Sequence, residues 1–348
     1  TIDALGIAAT SLTGSQATAI TAALPKSGGT MTGDLTVTNV TATGVLSDSS
    51  GNVRSGRKNF ILNGGFDVWQ RGTTGAQANS GFVADRWKGN NYTTGTLTFS
   101  QRTDATGQTF RTYGRLAQSS AGSNNSTQGI MQWIEGLHLV GKTITVSFKV
   151  RGNAALSGCK VRGVIAEQTF NLTTDWVKHS FTGTGIQDGS NTRLMFDWGL
   201  ENTTWHVDIA EVQVEVGSGT DFEHRSYGEE LHLCQRYYEI IADGGRANDS
   251  PFFGVGQGVK SDQINWFYDF KAEKRAAFTL IVPTVTNGYQ AKTHSTTKSG
   301  NSLGFTSVHQ SLHSIMGYMT QISGVTEQSC WQMQLNGAAA HIAVSAEL

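Results

Sequence analysis

Glu211 and Glu215, set in AEVQVEVG, and Glu229 with Glu230, set in YGEELHLC, are the closely spaced carboxylates that invite a catalytic reading of this chain. Two carboxyl groups flanking a glycosidic bond can hydrolyse it, one giving a proton while the other attacks or activates water. The spacing argues otherwise here. Glu211 and Glu215 alternate with valines on one strand face, and Glu229 and Glu230 fall in the first turn of a helix, where acidic side chains suit the dipole. His309 and His313 are four residues apart, a spacing that shares a metal only on a helix, whereas the text around them reads as strand and loop. The glycines of FGVGQG (Phe253–Gly258) lack the strand–turn–helix context of a phosphate cradle. Cys159, Cys234 and Cys330 form neither a disulfide framework nor a paired metal-ligand motif. No HExxH helix occurs. No residue is assigned a catalytic role, and the chain is read as a non-enzyme.

Sugar binding asks for less: flat aromatic platforms beside polar groups that fix hydroxyls. In IMQWIEG, Ile130 and Ile134 share one side of a strand, while Met131 and Trp133 point to the other. Tyr92 and Tyr113, with Arg102, Arg111 and Arg115 around them, would line a groove. Trp133, Tyr92, Tyr113 and Arg111 are the glycan-binding candidates. An ordinary packed aromatic is the alternative for each. Trp69, Trp87, Trp198 and Trp205 occupy motif or alternating positions and are assigned to the core.

The elements that must position these residues are strands. The chain has 348 residues, 38% hydrophobic and 15% charged, with 42 glycines and 3 prolines. That suits two or three folded domains built from β-structure and many turns. A formal charge of -1 excludes a nucleic-acid or anionic-membrane footprint, and no apolar run approaches the roughly 20 residues of a membrane span.

Residues 1–56 contain no Phe, Tyr or Trp. Ile2, Leu5, Ala9 and Leu12 have helical spacing, and after Pro25 the period changes to short alternating strands around Leu35, Val37, Val40 and Val45. One thin apolar row cannot hold a fold alone, so this piece is read as a trimeric stalk that borrows its core from sister chains; a flexible linker is the other reading. Residues 57–226 carry about nine strands, among them TITVSFKVR and RLMFDW with period two and one wet face. They predict an antiparallel β-sandwich, a jelly roll. Residues 227–348 open with YGEELHLCQRYYEII, whose Leu231, Cys234, Tyr238 and Ile241 predict one linking helix stopped by Gly244 and Gly245. Strands then resume at 259–268, 277–282, 302–309, 314–322, 329–335 and 341–346, predicting a second β-sandwich-like domain.

LPKSGGTMTGDLTV resembles the strand-and-turn repeat in the shafts of tailed-bacteriophage tail fibres. NFILNGGFDVWQRGTT followed by ADRW, QWIEGLHLVGKTITVSFKVRG, and VQVEVGSGTDFEHRSYGEELHLCQRYYE are similar to the start, middle and end of a carbohydrate-binding-module-like jelly roll of phage tail proteins. The closing VSAEL fits the same group. The resemblance implies a tail fibre or receptor-binding protein: a virion protein made in the host cytoplasm, trimeric, non-catalytic, and bound to a host-surface glycan. Other tail proteins would join it through a part preceding Thr1, since TIDALGIAAT reads as an internal cut of a longer chain. A carbohydrate-active depolymerase and a purely structural tail or baseplate component are the alternatives. In such jelly rolls, acidic residues near the first NGxF(E/D) stretch and on the last strand hold a structural calcium. The resemblance thereby implies Asp67 and Asp208 as its ligands, with ordinary strand-end aspartates as the alternative.

Overall fold

The computed structural model describes residues 46–48, 51–53, 57–76, 80–91, 95–120, 128–198, 204–243, 252–282, 288–300, 302–320, 322–335 and 341–348. The fold is mainly β, with antiparallel pairing throughout and one helix among the described residues. Contacts divide the chain into residues 1–53 and residues 54–348. In the first unit, β1 (Leu46–Asp48) pairs antiparallel with β2 (Gly51–Val53). The expected helix near the N-terminus and the LPKSGGTMTGDLTV repeat lie outside the described residues.

The second unit begins with a two-layered sandwich. Its strands are β3 (Thr74–Ala76), β4 (Lys88–Asn91), β5 (Leu97–Arg102), β6 (Tyr113–Gln118), β7 (Gln128–Ile134), β8 (Thr143–Gly152), β9 (Leu156–Arg162), β10 (Gln168–Leu172), β11 (Val177–Thr184), β12 (Thr192–Asp197) and β13 (Trp205–Val216). One sheet runs β11-β8-β13-β6-β5-β3 and the other β10-β9-β12-β7-β4, an order that makes the sandwich a jelly roll. Alternation decides what each strand buries. Ile144, Val146, Phe148 and Val150 of β8, with Val207, Ile209, Val212 and Val214 of β13, meet Ile130, Val161, Leu194 and Phe196 of the opposing sheet in one apolar core. Each such side chain contributes about 1.5–3 kcal/mol through burial. Trp69, Trp87, Trp198 and Trp205 are buried in the same core.

Within 160–168 the chain turns back on itself, pairing β10 with β9 as a hairpin. Gly163 at the turn has φ 101, and a Cβ on it would lie 2.4 Å from the Arg193 carbonyl oxygen, so only glycine allows this reversal.

The NGGF segment wraps onto β13. The Phe60 amide donates to the Val214 carbonyl and the Val212 amide to the Gly64 carbonyl, both at 2.9 Å. The Asn59 side chain fills the gaps between, accepting from the Ile61 and Val214 amides and donating to the Val212 carbonyl. Asn63 and Phe66 sit at φ 53 and 57. The Asn63 amide side chain donates to the carbonyls of Val68 and Asp85 and accepts from the Val68 amide, so it substitutes for a missing strand partner.

Beyond the sandwich, helix α1 (Tyr227–Gln235) starts at Ser226, whose hydroxyl accepts from the Glu229 amide at 3.4 Å. The helix is shorter than the apolar period predicts. It ends at Gln235, and Tyr238–Asp243 is a strand paired with His341–Ser345. Tyr238, Ile240 and Ile241 are aromatic or β-branched and find a waiting strand edge, so tertiary pairing overrides the helical period. Tyr238–Asp243, His341–Ser345 and Thr279–Ile281 form one sheet. A second sheet orders Thr297–Gly300, Tyr289–Lys292, Cys330–Leu335, Phe252–Lys260, Gln263–Asp269, Ser314–Thr320 and Ser302–Gln310. The strand expected over 259–268 is therefore a hairpin, and FGVGQG lies inside one of its arms. Ile264, Trp266, Met319, Met333 and Leu335 belong to a separate apolar core.

Glu347 joins this region to the jelly roll, pairing with both Arg71 and Arg86. The Arg71 guanidinium lies 3.5 Å from the Tyr238 ring centre and that of Arg86 3.5 Å from the Tyr237 ring centre. Beneath them Asp85 is wholly buried, accepting from the amide and side chain of Gln70 and facing Arg71 at 3.5 Å. Burial pushes its carboxyl up to about 6.

Candidate functional site

Strand β13 is central to the six-stranded sheet, and its outward side chains gather charge. Asp208 is 0% exposed, and three guanidinium N–H groups reach its oxygens. Arg115 of β6 grips it as a fork through Nε at 2.6 Å and Nη2 at 2.9 Å; Arg151 of β8 adds Nε at 2.8 Å. These strands flank β13, with Arg115 and Arg151 in register opposite Asp208. Alternation therefore aligns all three on one face. The hydrogen bond to Asp208 holds the Arg115 guanidinium more firmly charged than usual.

A β-bulge re-aims the next acid. Between Ala210 and Gln213 the pairing of β13 with β8 slips, and Glu211 takes φ 50. Such a bulge turns a side chain out of the strict alternation. Glu211 then meets Lys149 Nζ at 3.0 Å and the Thr109 hydroxyl at 3.2 Å on the same outer face as Asp208. Gly64 makes the crossing at this bulge possible, since a Cβ there would lie 2.2 Å from the Val212 carbonyl oxygen.

Aromatics complete the face. Phe110, Tyr113 and Trp176 pack edge to face, with centroids 4.9 Å apart for Phe110–Trp176 and 5.3 Å for Tyr113–Trp176. Arg151 lies over both Trp176, at 4.9 Å, and Tyr113, at 5.6 Å; Lys149 lies over Phe110 at 5.1 Å. The Tyr113 hydroxyl donates to Asp104 at 2.7 Å and accepts from Arg151 Nη2 at 3.3 Å. Hydrogen bonds from Arg102 and Tyr113 hold the Asp104 carboxyl down at about 2. His206, two residues before Asp208, lines a cavity of about 220 Å³ with Asn153, Leu156, Leu172 and Trp205. Its imidazole is held below the usual value by burial and by Arg115.

The sequence candidates are partly reunited here. Tyr113 is in this cluster, buried rather than lining an open groove, and Arg102 and Arg115 are beside it. Arg111 is exposed just ahead of β6. Tyr92 lies outside the described residues. Trp133 stands elsewhere: half-buried on β7 of the other sheet, opposite Arg193, whose guanidinium lies 5.1 Å from its ring. Sequence reading passed over Lys149 and Arg151, although both stand on the wet face of TITVSFKVR. Trp176 and Phe110 precede their strands, and nothing in the text marks the bulge at Glu211.

The carboxylate pairs fall apart. Glu215 is fully buried and accepts from the Thr220 amide and hydroxyl and from Gln213, while Glu230 is tied to Arg225 and the Asn63 amide. A further motif, GLHLVGKT (Gly136–Thr143), has the spacing of a phosphate-binding loop, but it runs into strand β8 and offers no helix N-terminus. Asp67 and Asp208 do not fit a calcium ion, which wants six to eight oxygens. Asp208 is committed to two arginines, and exposed Asp67 takes the Thr112 hydroxyl. Among the described residues no group of three or more His, Cys, Asp or Glu converges as metal ligands.

No family model and no curated protein matches the chain. Solved structures do. A structure described as CBM4 is 24% identical, with a TM-score of 0.34, over 45% of this chain and 99% of that one. A family 11 carbohydrate-binding module from Clostridium thermocellum, solved with a β-1,3-1,4-mixed-linked tetrasaccharide, is 9% identical, with a TM-score of 0.29, over 42% and 97%. The enzymatically active domain of tailspike protein 4 of bacteriophage CBA120 is 14% identical, with a TM-score of 0.33, over 46% of this chain and 21% of that one.

Proposed function

We propose that this chain is the receptor-binding part of a phage tail fibre, which holds a host-surface glycan without altering it. The observation that carries the glycan reading is the outer face of the six-stranded sheet. There half-buried Trp176 sits beside Arg151, which fully buried Asp208 holds in place together with Arg115. A sugar ring needs an apolar face to stack on and rigid donors for its hydroxyls, and this cluster offers both. Its carboxylates are bound to arginine, lysine, threonine or tyrosine, which suits holding a ligand rather than cleaving one. The tail-fibre part of the reading rests on the shaft-like LPKSGGTMTGDLTV and the tail-protein-like segments around the sandwich. On this reading residues 1–56 assemble three chains and the protein resides on the virion tail.

The test uses lipopolysaccharide and capsule purified from candidate host bacteria. Immobilised glycan from a susceptible strain should retain the protein, Trp176→Ala should weaken retention by about tenfold or more, and no oligosaccharide should appear in the supernatant. Released oligosaccharide would replace this reading with that of a depolymerase. Retention unaffected by Trp176→Ala would move the site elsewhere, with Trp133 the next residue to replace.

A further inference from the structure

We propose that the sugar recognised by this face carries an anionic substituent, a carboxylate or a phosphate, which the guanidinium groups of Arg115 and Arg151 engage. The proposal rests on the reading of the face as a glycan site. Its basis is a vertical ordering of charge. Two carboxylates of the face lie at the bottom: Asp208 is 0% exposed and the Glu211 side chain 9%. Above them the side chains of Lys149, Arg115 and Arg151 are 20%, 23% and 29% exposed. Arg102 is nearer to solvent, and Arg111 is exposed just ahead of β6. An arriving ligand therefore meets Lys149, Arg115 and Arg151 with their acids covered, while Asp104, paired with Arg102, is the exposed carboxylate of the cluster.

The count agrees. Four cations (Arg102, Arg115, Lys149, Arg151) stand against three carboxylates (Asp104, Asp208, Glu211). Exposed Arg111 and Asp67, on either side of Thr112, add one of each sign, leaving an excess of one that the whole-chain charge of -1 conceals. Nor are the guanidinium donors exhausted. Arg115 commits Nε and Nη2 to Asp208; Arg151 commits Nε to Asp208 and Nη2 to the Tyr113 hydroxyl. Each keeps its Nη1 group. Guanidinium pairs bidentately with planar carboxylate and with phosphate, and such charge-assisted bonds are roughly twice as strong as neutral ones. A neutral sugar stacked on Trp176 would cover this excess positive charge without compensating it, at the cost of desolvation. An anionic substituent removes that cost.

Three sugars that differ only at one carbon separate the possibilities: D-glucuronate, D-glucose 6-phosphate and D-glucose, titrated into the full chain by calorimetry or ligand-observed NMR. At least one anionic sugar should bind about tenfold or more tighter than glucose. That preference should shrink between about 50 mM and about 500 mM salt, as screening requires. Glucuronate ahead of the phosphate identifies a uronic-acid type of ligand, and the reverse order a phosphorylated one. Arg151→Gln should reduce the anionic preference more than it reduces glucose binding. Exposed Arg111→Ala should do the same to a smaller degree, and it serves should the first variant fold poorly. Glucose bound as tightly as both anions overturns the proposal and leaves the glycan reading standing. No binding of either anionic sugar also overturns it, and retention on host glycan then decides whether the broader reading survives.

Discussion

Asp208 shows how one buried side chain can organise a surface. Its carboxylate fixes Arg115 and Arg151 from below, so replacing it by asparagine removes a charge that two partly covered cations rely on. Asp208→Asn should cost about 2 kcal/mol or more in denaturant unfolding. The loss should be equal in calcium and in chelator, because arginine and not a metal compensates this acid. A second carboxylate acts in the opposite sense. Burial raises Asp85 from its ordinary 3.8 to about 6, so the native protein holds this proton more tightly than the unfolded chain does. Its stabilising contribution is therefore complete below pH 3.8 and is lost as pH rises through 6. The gap corresponds to on the order of 3 kcal/mol. Wild type minus Asp85→Asn, compared by melting from about pH 4 to about pH 7, should decline along that course; a flat difference would mean Arg71 offsets the burial.

At the level of elements, Gly64 and the bulge at Glu211 stand or fall together. Gly64→Ala would drive a methyl group into the Val212 carbonyl, with backbone on both sides unable to yield. We expect about 2–4 kcal/mol of destabilisation, with the outer face disordered before the core; a melting temperature unchanged from wild type would refute the tight crossing. The strands themselves were legible because alternation is a local code. Ile144 to Val150 occupy the places their period predicts, and Trp205–Val216 is a strand whose alternation holds up to the bulge at Glu211. What escaped was non-local. Tyr238 and Ile241 fit a helix by spacing and became a strand because His341–Ser345 lay beside them. The site was half legible for the same reason: Tyr113 and Arg115 announce themselves in one stretch, whereas Trp176, 63 positions after Tyr113 (176 − 113), joins them only through sheet order.

For the molecule as a whole, net charge is a poor guide to partners. A chain near neutrality carries a face with one excess cation, matched by acids elsewhere. In the trimer we propose, three such faces would act together, and joining sites raises avidity by on the order of a hundredfold where the glycan repeats at a compatible spacing. Light scattering should report three chains for the full protein and one after removal of residues 1–56, and the shortened form should bind cells far more weakly while binding free sugar equally. A monomeric full chain would refute the assembly. The wrap of the NGGF segment onto β13 bears on how such a molecule is made. Asn59 closes against Val212 and Val214 across 153 and 155 residues, and Arg225 reaches back 166 residues to the Asn59 carbonyl. During synthesis the first segment must wait, its apolar side chains uncovered, until the last strand has left the ribosome. Closure of so long a loop favours slow folding. If a shaft holds three nascent chains side by side, each waiting segment has three equivalent strands to choose from, so speed of assembly would be in tension with exchange between neighbours.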